Sequence, residues 1–216
     1  MNEGQIQPLH QMSSELDTRS DGQAAVRDPF DVFRAQHYTL LAVLLSRAPD
    51  EQTLALVAAL EGGEGPLGAA HQALSQIAAQ TTHAAVEREY FRLFIGVGRG
   101  ELVPYASYYQ TGFLQEKPLA RLRQTLRELG IERAPSLVEL EDHAAVLCEI
   151  MAGLIDNRFD APSGADAAFF RDHLEPWIGR FFADLQAADG APFYGRVGAV
   201  ARAFLAIETQ ALALAA

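Results

Sequence analysis

This sequence is poor in cysteine, in positive charge and in alternating patterns. Cys148 is the only cysteine, which excludes an intrachain disulfide and a cysteine-rich metal site and suits a reducing compartment. It sits in an apolar helical run, where a buried, inert thiol is expected. Lys and Arg number 17 against 28 Asp and Glu, a formal charge of −11. Nucleic acids demand clustered cations, so neither duplex nor single strand is an expected ligand. Solubility and attraction of a cationic partner are favoured instead. No uninterrupted apolar run approaches the roughly 18 residues of a membrane span. The opening residues, MNEGQIQPLHQMSSELD, lack the basic start and apolar core of a secretory signal. No membrane span is expected, and a cytoplasmic location is.

Catalytic signatures are missing too. HExxH and GxSxG are absent, and Ser107 in YASYY has no base beside it. His143 and His173 each lack a second histidine at i+4, so no zinc-binding face is expected. Gly96, Gly98 and Gly100 imitate a phosphate loop, but they follow a helix and no Lys-Ser/Thr pair accompanies them. Tight turns account for them better. The expectation is a protein that is not an enzyme, with no catalytic residue, no metal and no cofactor.

Helical periodicity is abundant. At 216 residues the chain suits one domain. Residues 1–27 are polar and aperiodic and read as a flexible tail; 28–216 form the domain. Asp28-Pro29 starts a first helix carrying Phe30, Phe33, His37, Leu40, Leu41, Leu44 and Leu45. Asp50 caps a second, residues 67–79 form a third and Thr82 caps a fourth through Tyr90 and Phe94. Pro118 opens a fifth that Gly130 ends. Ser136 and Glu139 have capping-box spacing before the stripe Leu140, Ala144, Leu147, Met151 and Leu154. Helices over 166–173, 176–187 and about 191–211 complete the series. Alternating β-branched runs are missing and no repeat is visible, so the fold class is all-α: a single-domain bundle of eight or nine helices.

Two stretches depart from this regularity. Residues 94–112 hold Gly96, Gly98, Gly100, Pro104, Tyr105, Tyr108 and Tyr109 between two helices. A long connection rich in aromatics is a shaped, functional loop rather than disorder. Glu139, Glu141, Asp142 and His143 open a mostly apolar helix. Acids there complement the helix dipole, each by roughly 0.3–1 kcal/mol, and His143 fits a hydrogen-bonded residue at the core edge. On a helix Glu139 and His143 would share a face that Asp142 does not.

Together, LFIGVGRGELVPYASYYQTGFL and ELEDHAAVLCEIMAGLI resemble the TorD/DmsD family, cytoplasmic chaperones that mature molybdenum-containing redox enzymes before twin-arginine export. The likeness continues through FFRDHLEPWIGRFFADL and APFYGRVGAVARAFLAIE, and so from Tyr90 to the end. The family motif reads Glu-Pro-x-Asp-His; here Leu140 replaces the proline, and Glu139, Asp142 and His143 are kept. Leu93-Phe94 and the Pro104-Tyr105, Ser107, Tyr109 pattern carry the rest.

The resemblance implies a TorD-like fold and one groove, made by loop and acidic-His segment, that binds the twin-arginine signal peptide of an apo molybdenum oxidoreductase. Formate dehydrogenase and sulfoxide or amine-oxide reductases are typical clients. Glu139, Glu141 and Asp142 would receive the guanidinium groups, beside His143. Phe94, Tyr105 and Tyr109 would cover the apolar portion, with Leu93, Pro104 and Ser107 in the same site. A homodimer is left open. The alternatives are a permanent assembly subunit of such an oxidoreductase and a small helical hydrolase using His143.

Overall fold

A computed structural model describes residues 28–133 and 139–215. The expected tail, residues 1–27, and Ser136 of the expected capping box lie outside these described residues. In chain order the helices are α1 (Pro29–Ser46), α2 (Glu51–Ala58), α3 (Gly65–Gln80), α4 (His83–Tyr90), α5 (Ala106–Thr111), α6 (Lys117–Glu128), α7 (Ala144–Ile155), α8 (Ala165–Phe169), α9 (Ile178–Ala187) and α10 (Tyr194–Ala215). α4 runs on into a π-helical turn, Phe91–Ile95, and α8 into a second, Phe170–Leu174. The described residues thus contain ten α-helices rather than eight or nine. The additional one is the six-residue α5, inside the stretch expected to be a loop. One turn and a half of helix is too short to show a hydrophobic period in sequence.

Capping follows the sequence where the signals are local. Asp28 Oδ1 accepts from Phe30 N at 2.8 Å and Asp50 Oδ1 from Thr53 N at 2.8 Å. Thr82 Oγ1 accepts from Ala85 N at 3.3 Å, and Gly130 leaves α6 with φ +66°, a conformation easy only for glycine. The apolar helix starts later than the sequence spacing suggests. α7 begins at Ala144, and its cap is His143, whose Nδ1 accepts from Ala145 N at 3.1 Å. Glu139, Glu141 and Asp142 precede the helix, so the shared helical face of Glu139 and His143 does not exist.

α7 is buried at every position except Glu149, as a helix that is apolar on nearly all sides requires. It packs on α1, α8 and the second π turn. α10 packs on α9, α3 and α1. α10 and α8 are joined to α1 by a buried ion network. Arg34, 5% exposed, donates from Nε and Nη2 to Glu208 at 2.8 and 2.9 Å, and Nη2 also reaches Asp166 at 2.7 Å. Tyr38 OH adds a bond to Glu208 at 3.2 Å, which is fully buried. Burial alone would lower the Arg34 pKa, but the bonds to Glu208 and Asp166 outweigh it and raise it further. At the other end, Glu89 of α4 accepts from Phe193 N at 3.3 Å and Tyr194 N at 2.5 Å, capping α10 from a distant helix.

Among the described residues, α10 bears on the expectation of no membrane span. Tyr194–Leu214 is long and apolar enough to cross a membrane by length and composition, although 39% of its window is buried in the bundle. Scattered charges divide the helix, so no uninterrupted apolar run marks it in the sequence. One of those charges, Glu208, is the carboxylate that Arg34 grips.

Arg34→Ala leaves the Glu208 carboxylate buried without its cation, and the loss is expected to be about 3–5 kcal/mol. Urea denaturation followed by circular dichroism measures it; a midpoint equal to wild type would mean that water replaces the guanidinium freely.

Candidate functional site

The aromatic loop and the acidic-His segment are stitched to each other. After the π turn the chain doubles back, with Glu101 N donating to Arg92 O at 3.2 Å and Leu102 N to Leu93 O at 2.8 Å. A Cβ at Gly100 would stand 2.5 Å from Leu93 O, so only glycine permits this return. Beyond it, Ala144 N donates to Pro104 O at 2.8 Å and Ala106 N to Asp142 O at 3.0 Å, around an isolated antiparallel bridge between Tyr105 and His143.

Asp142 holds the joint. It is fully buried, and its Oδ2 accepts from Ser107 N at 2.8 Å. That satisfies one of the orphan donors at the start of α5, a helix whose own N-terminal residue, Tyr105, gives no side-chain cap. Its Oδ1 and Ser107 Oγ have no hydrogen-bond partner among the described residues. Asp142 lines a cavity of about 10 Å³ beside Arg121, Asp172 and His173, which has room for a single water.

The other acids have separate places. Glu141, 8% exposed, takes Arg123 of α6, with Nη2 to Oε2 at 2.9 Å and Nε to both oxygens at 3.2 Å. Burial pushes its pKa up; bonds from Arg123 and from its own backbone, with the charges of Arg123 and Arg133, together bring it below the usual value. Glu139 is half-buried and accepts from Tyr105 OH. Burial first, then this bond and the charge of Glu139, raise the Tyr105 pKa. The Tyr105 ring stands edge-on to His143, centroids 4.9 Å apart.

Of the remaining expected residues, Leu93 is fully buried and Phe94 packs edge-on against Tyr194 at 5.3 Å. Tyr109 leans towards α9, its ring 5.5 Å from Trp177 and its OH donating to Asp184 at 2.9 Å. Tyr105, Pro104, Ser107, Glu139, Asp142 and His143 are therefore one cluster, while Tyr109 and Phe94 flank it on different neighbours. Asp142 is an internal fastening rather than an open carboxylate. Arg123 was not foreseen, because no local pattern links it to an acid 18 residues away. His143 Nδ1 is occupied by Ala145 N and Asp142 Oδ2 by Ser107 N.

Burial pushes the His143 pKa down to about 4, against a smaller upward pull from Glu139. The unfolded chain then binds more protons than the folded one between pH about 6.5 and about 4. The stability contributed by the neutral ring is complete above that window and is lost as pH falls through it, by up to about 1.4 kcal/mol per pH unit. His143→Asn keeps a good cap and removes the titration. Denaturation midpoints measured across the window are expected to fall less steeply for this variant than for wild type; parallel slopes would show that His143 is not held neutral. Asp142→Ala, by removing the cap on α5, is expected to cost about 0.5–2 kcal/mol in the same assay.

The family model for the nitrate reductase delta subunit matches residues 61–183. The chain is similar to the chaperone protein TorD of Photobacterium profundum, with 31% identity over 112 residues, 47% of this chain and 52% of that protein. It is 32% identical over 178 residues to the Tat proofreading chaperone DmsD of Salmonella typhimurium, covering 77% of this chain and 84% of that one. The chain spans about half the length of the TorD relatives it matches from Photobacterium profundum and Aeromonas salmonicida. In fold it is similar to the crystal structure of a candidate redox enzyme maturation protein from Archaeoglobus fulgidus, at a TM-score of 0.56 and 20% identity, covering 88% of this chain and 99% of that one. The chain belongs to the nitrate reductase delta subunit family, the TorD/DmsD family of redox-enzyme maturation chaperones.

Proposed function

We propose that this chain is a cytoplasmic chaperone, not an enzyme, that binds the twin-arginine signal peptide of an apo molybdenum oxidoreductase and holds it until cofactor insertion. The observation that carries the reading is the joint between Pro104–Ser107 and Glu139–His143, which puts the half-buried Tyr105 beside the half-buried Glu139. An aromatic face next to a carboxylate suits a peptide in which arginines precede an apolar stretch.

Within this reading the expected site residues divide by depth. Leu93, Pro104, Ser107, Asp142 and His143, all buried, shape the joint from below. Phe94, Tyr105, Tyr109 and Glu139, all half-buried, meet the peptide, and Glu141 reaches it with a side chain that is 10% exposed. Glu141 already holds a guanidinium, that of Arg123, whose side chain is 44% exposed. The Glu141 side chain is only 10% exposed and a buried carboxylate must keep a cation, so an arginine of the leader takes its place by exchange with Arg123. The net charge of −11 raises the encounter rate and is screened by salt.

The description of the family as a reductase delta subunit favours one second reading, that of a permanent assembly subunit. Purification of the mature, cofactor-loaded oxidoreductase with this chain at fixed stoichiometry would support it.

A synthetic leader, titrated with its arginine pair and with glutamines in its place, is expected to bind about tenfold or more tightly with the arginines, a difference of at least about 1.4 kcal/mol. Equal affinities would count decisively against the proposal. Arg123→Gln frees Glu141 and is expected to tighten binding at low salt, whereas Tyr105→Ala weakens it with little salt dependence, because the lost contact is apolar area. Calorimetric titration at two ionic strengths separates these effects.

A further inference from the structure

The side-chain cluster that this function leaves unused is a pair of histidines remote from the joint. His37 of α1 and His71 of α3 are 34 residues apart in sequence, yet their Nε2 atoms stand 3.2 Å apart and their ring centroids 5.1 Å. Sequence spacing could not reveal the pair, because an i,i+4 search finds only histidines on one helix.

The chemistry of each nitrogen can be assigned. His37 Nδ1 lies 2.7 Å from Phe33 O. A carbonyl oxygen only accepts, so Nδ1 carries the proton of the neutral ring and Nε2 is left as a lone pair. A backbone carbonyl holding the far nitrogen is also the arrangement that orients metal-binding histidines. The ring is fixed on both sides, at 4.2 Å from Phe33 and 5.0 Å from Phe204. His37 is 9% exposed and His71 is half-buried, which leaves an approach from solvent. Burial lowers the pKa of both rings, helped at His71 by the charge of His37.

Two nitrogens bound at about 2.0–2.1 Å to one tetrahedral Zn²⁺ stand about 3.3–3.4 Å apart, close to the observed separation. We propose that His37 and His71 form a two-histidine site for a divalent transition-metal ion of the zinc type, which ties α1 to α3. Imidazole suits this class of cation. No group of three or more His, Cys, Asp and Glu able to hold a metal occurs among the described residues. Water therefore fills the other positions, and the affinity is that of an open site.

The test uses the full chain, stripped with EDTA and titrated with Zn²⁺ alone at neutral pH. His71→Gln is the informative variant, since its amide still donates to His37 Nε2 while the ring ligand is gone. Wild type is expected to gain thermal midpoint as Zn²⁺ rises, by mass action on the folded state. His71→Gln should keep the metal-free midpoint and bind Zn²⁺ about tenfold or more weakly. Nitrogen NMR of the wild-type imidazoles gives a second readout that needs no variant. Zn²⁺ should move the Nε2 signals of His37 and His71 and leave His37 Nδ1 protonated. Identical zinc isotherms for wild type and variant, or Nε2 signals that do not move, would overturn the site.

Discussion

A buried carboxylate must find donors, and in this bundle the donors come from another segment each time. Glu208 takes the guanidinium of Arg34, Glu89 the first amides of α10, Asp142 the amide of Ser107 and Glu141 the guanidinium of Arg123. Each is 8% exposed or less. Leaving such a group unpaired is far more costly than the modest net gain of pairing it, so these contacts fix relative position rather than supply bulk stability. Apolar burial around α7 provides the driving force, and the acids decide how the helices and the returning loop are set against it. The net charge of −11 therefore overstates the free negative surface.

Sequence periodicity served well wherever the determining contact is local. The starts of α1, α2 and α4 were legible because Asp28, Asp50 and Thr82 bond residues two or three places ahead. It failed for α7 because Glu139 stands at a plausible capping-box position while the true cap, His143, is a residue type seldom expected there. α5 was hidden by its length, and its cap lies on a different segment. The membrane-length stretch in α10 was hidden by charges such as Glu208, whose burial depends on Arg34, far away in sequence. What the residues alone could not give was pairing across the fold.

The candidate site shows the same limit. The two segments that drew attention as odd are joined, and the joint passes through Pro104, Tyr105, Ser107, Asp142 and His143. The chemistry assigned to them from residue type was less transferable. The resemblance implies an Asp142 that receives a guanidinium, whereas in the fold its carboxylate caps a helix. His143 reads as a helical residue sharing a face with Glu139 and is instead the cap of α7, held neutral by burial. Residue type set the kinds of bond available, and depth decided which were used.

That separation by depth lets one joint be structural and still offer a surface. The backbone bonds and the Asp142 cap lie beneath, where no solvent competes with them. Tyr105 and Glu139 lie above, half-buried, bonded to each other through a hydroxyl that a stronger donor can displace. A guanidinium is such a donor, because its bond to a carboxylate is charge-assisted on both sides. Exchange at the upper level need not disturb the lower one: Ala144 N and Pro104 O, or Ser107 N and Asp142, contribute no atom that a ligand must borrow. On the proposed reading, binding at this joint occurs without unfolding it, and damage to the lower level reaches recognition only through the stability of α5 and α7.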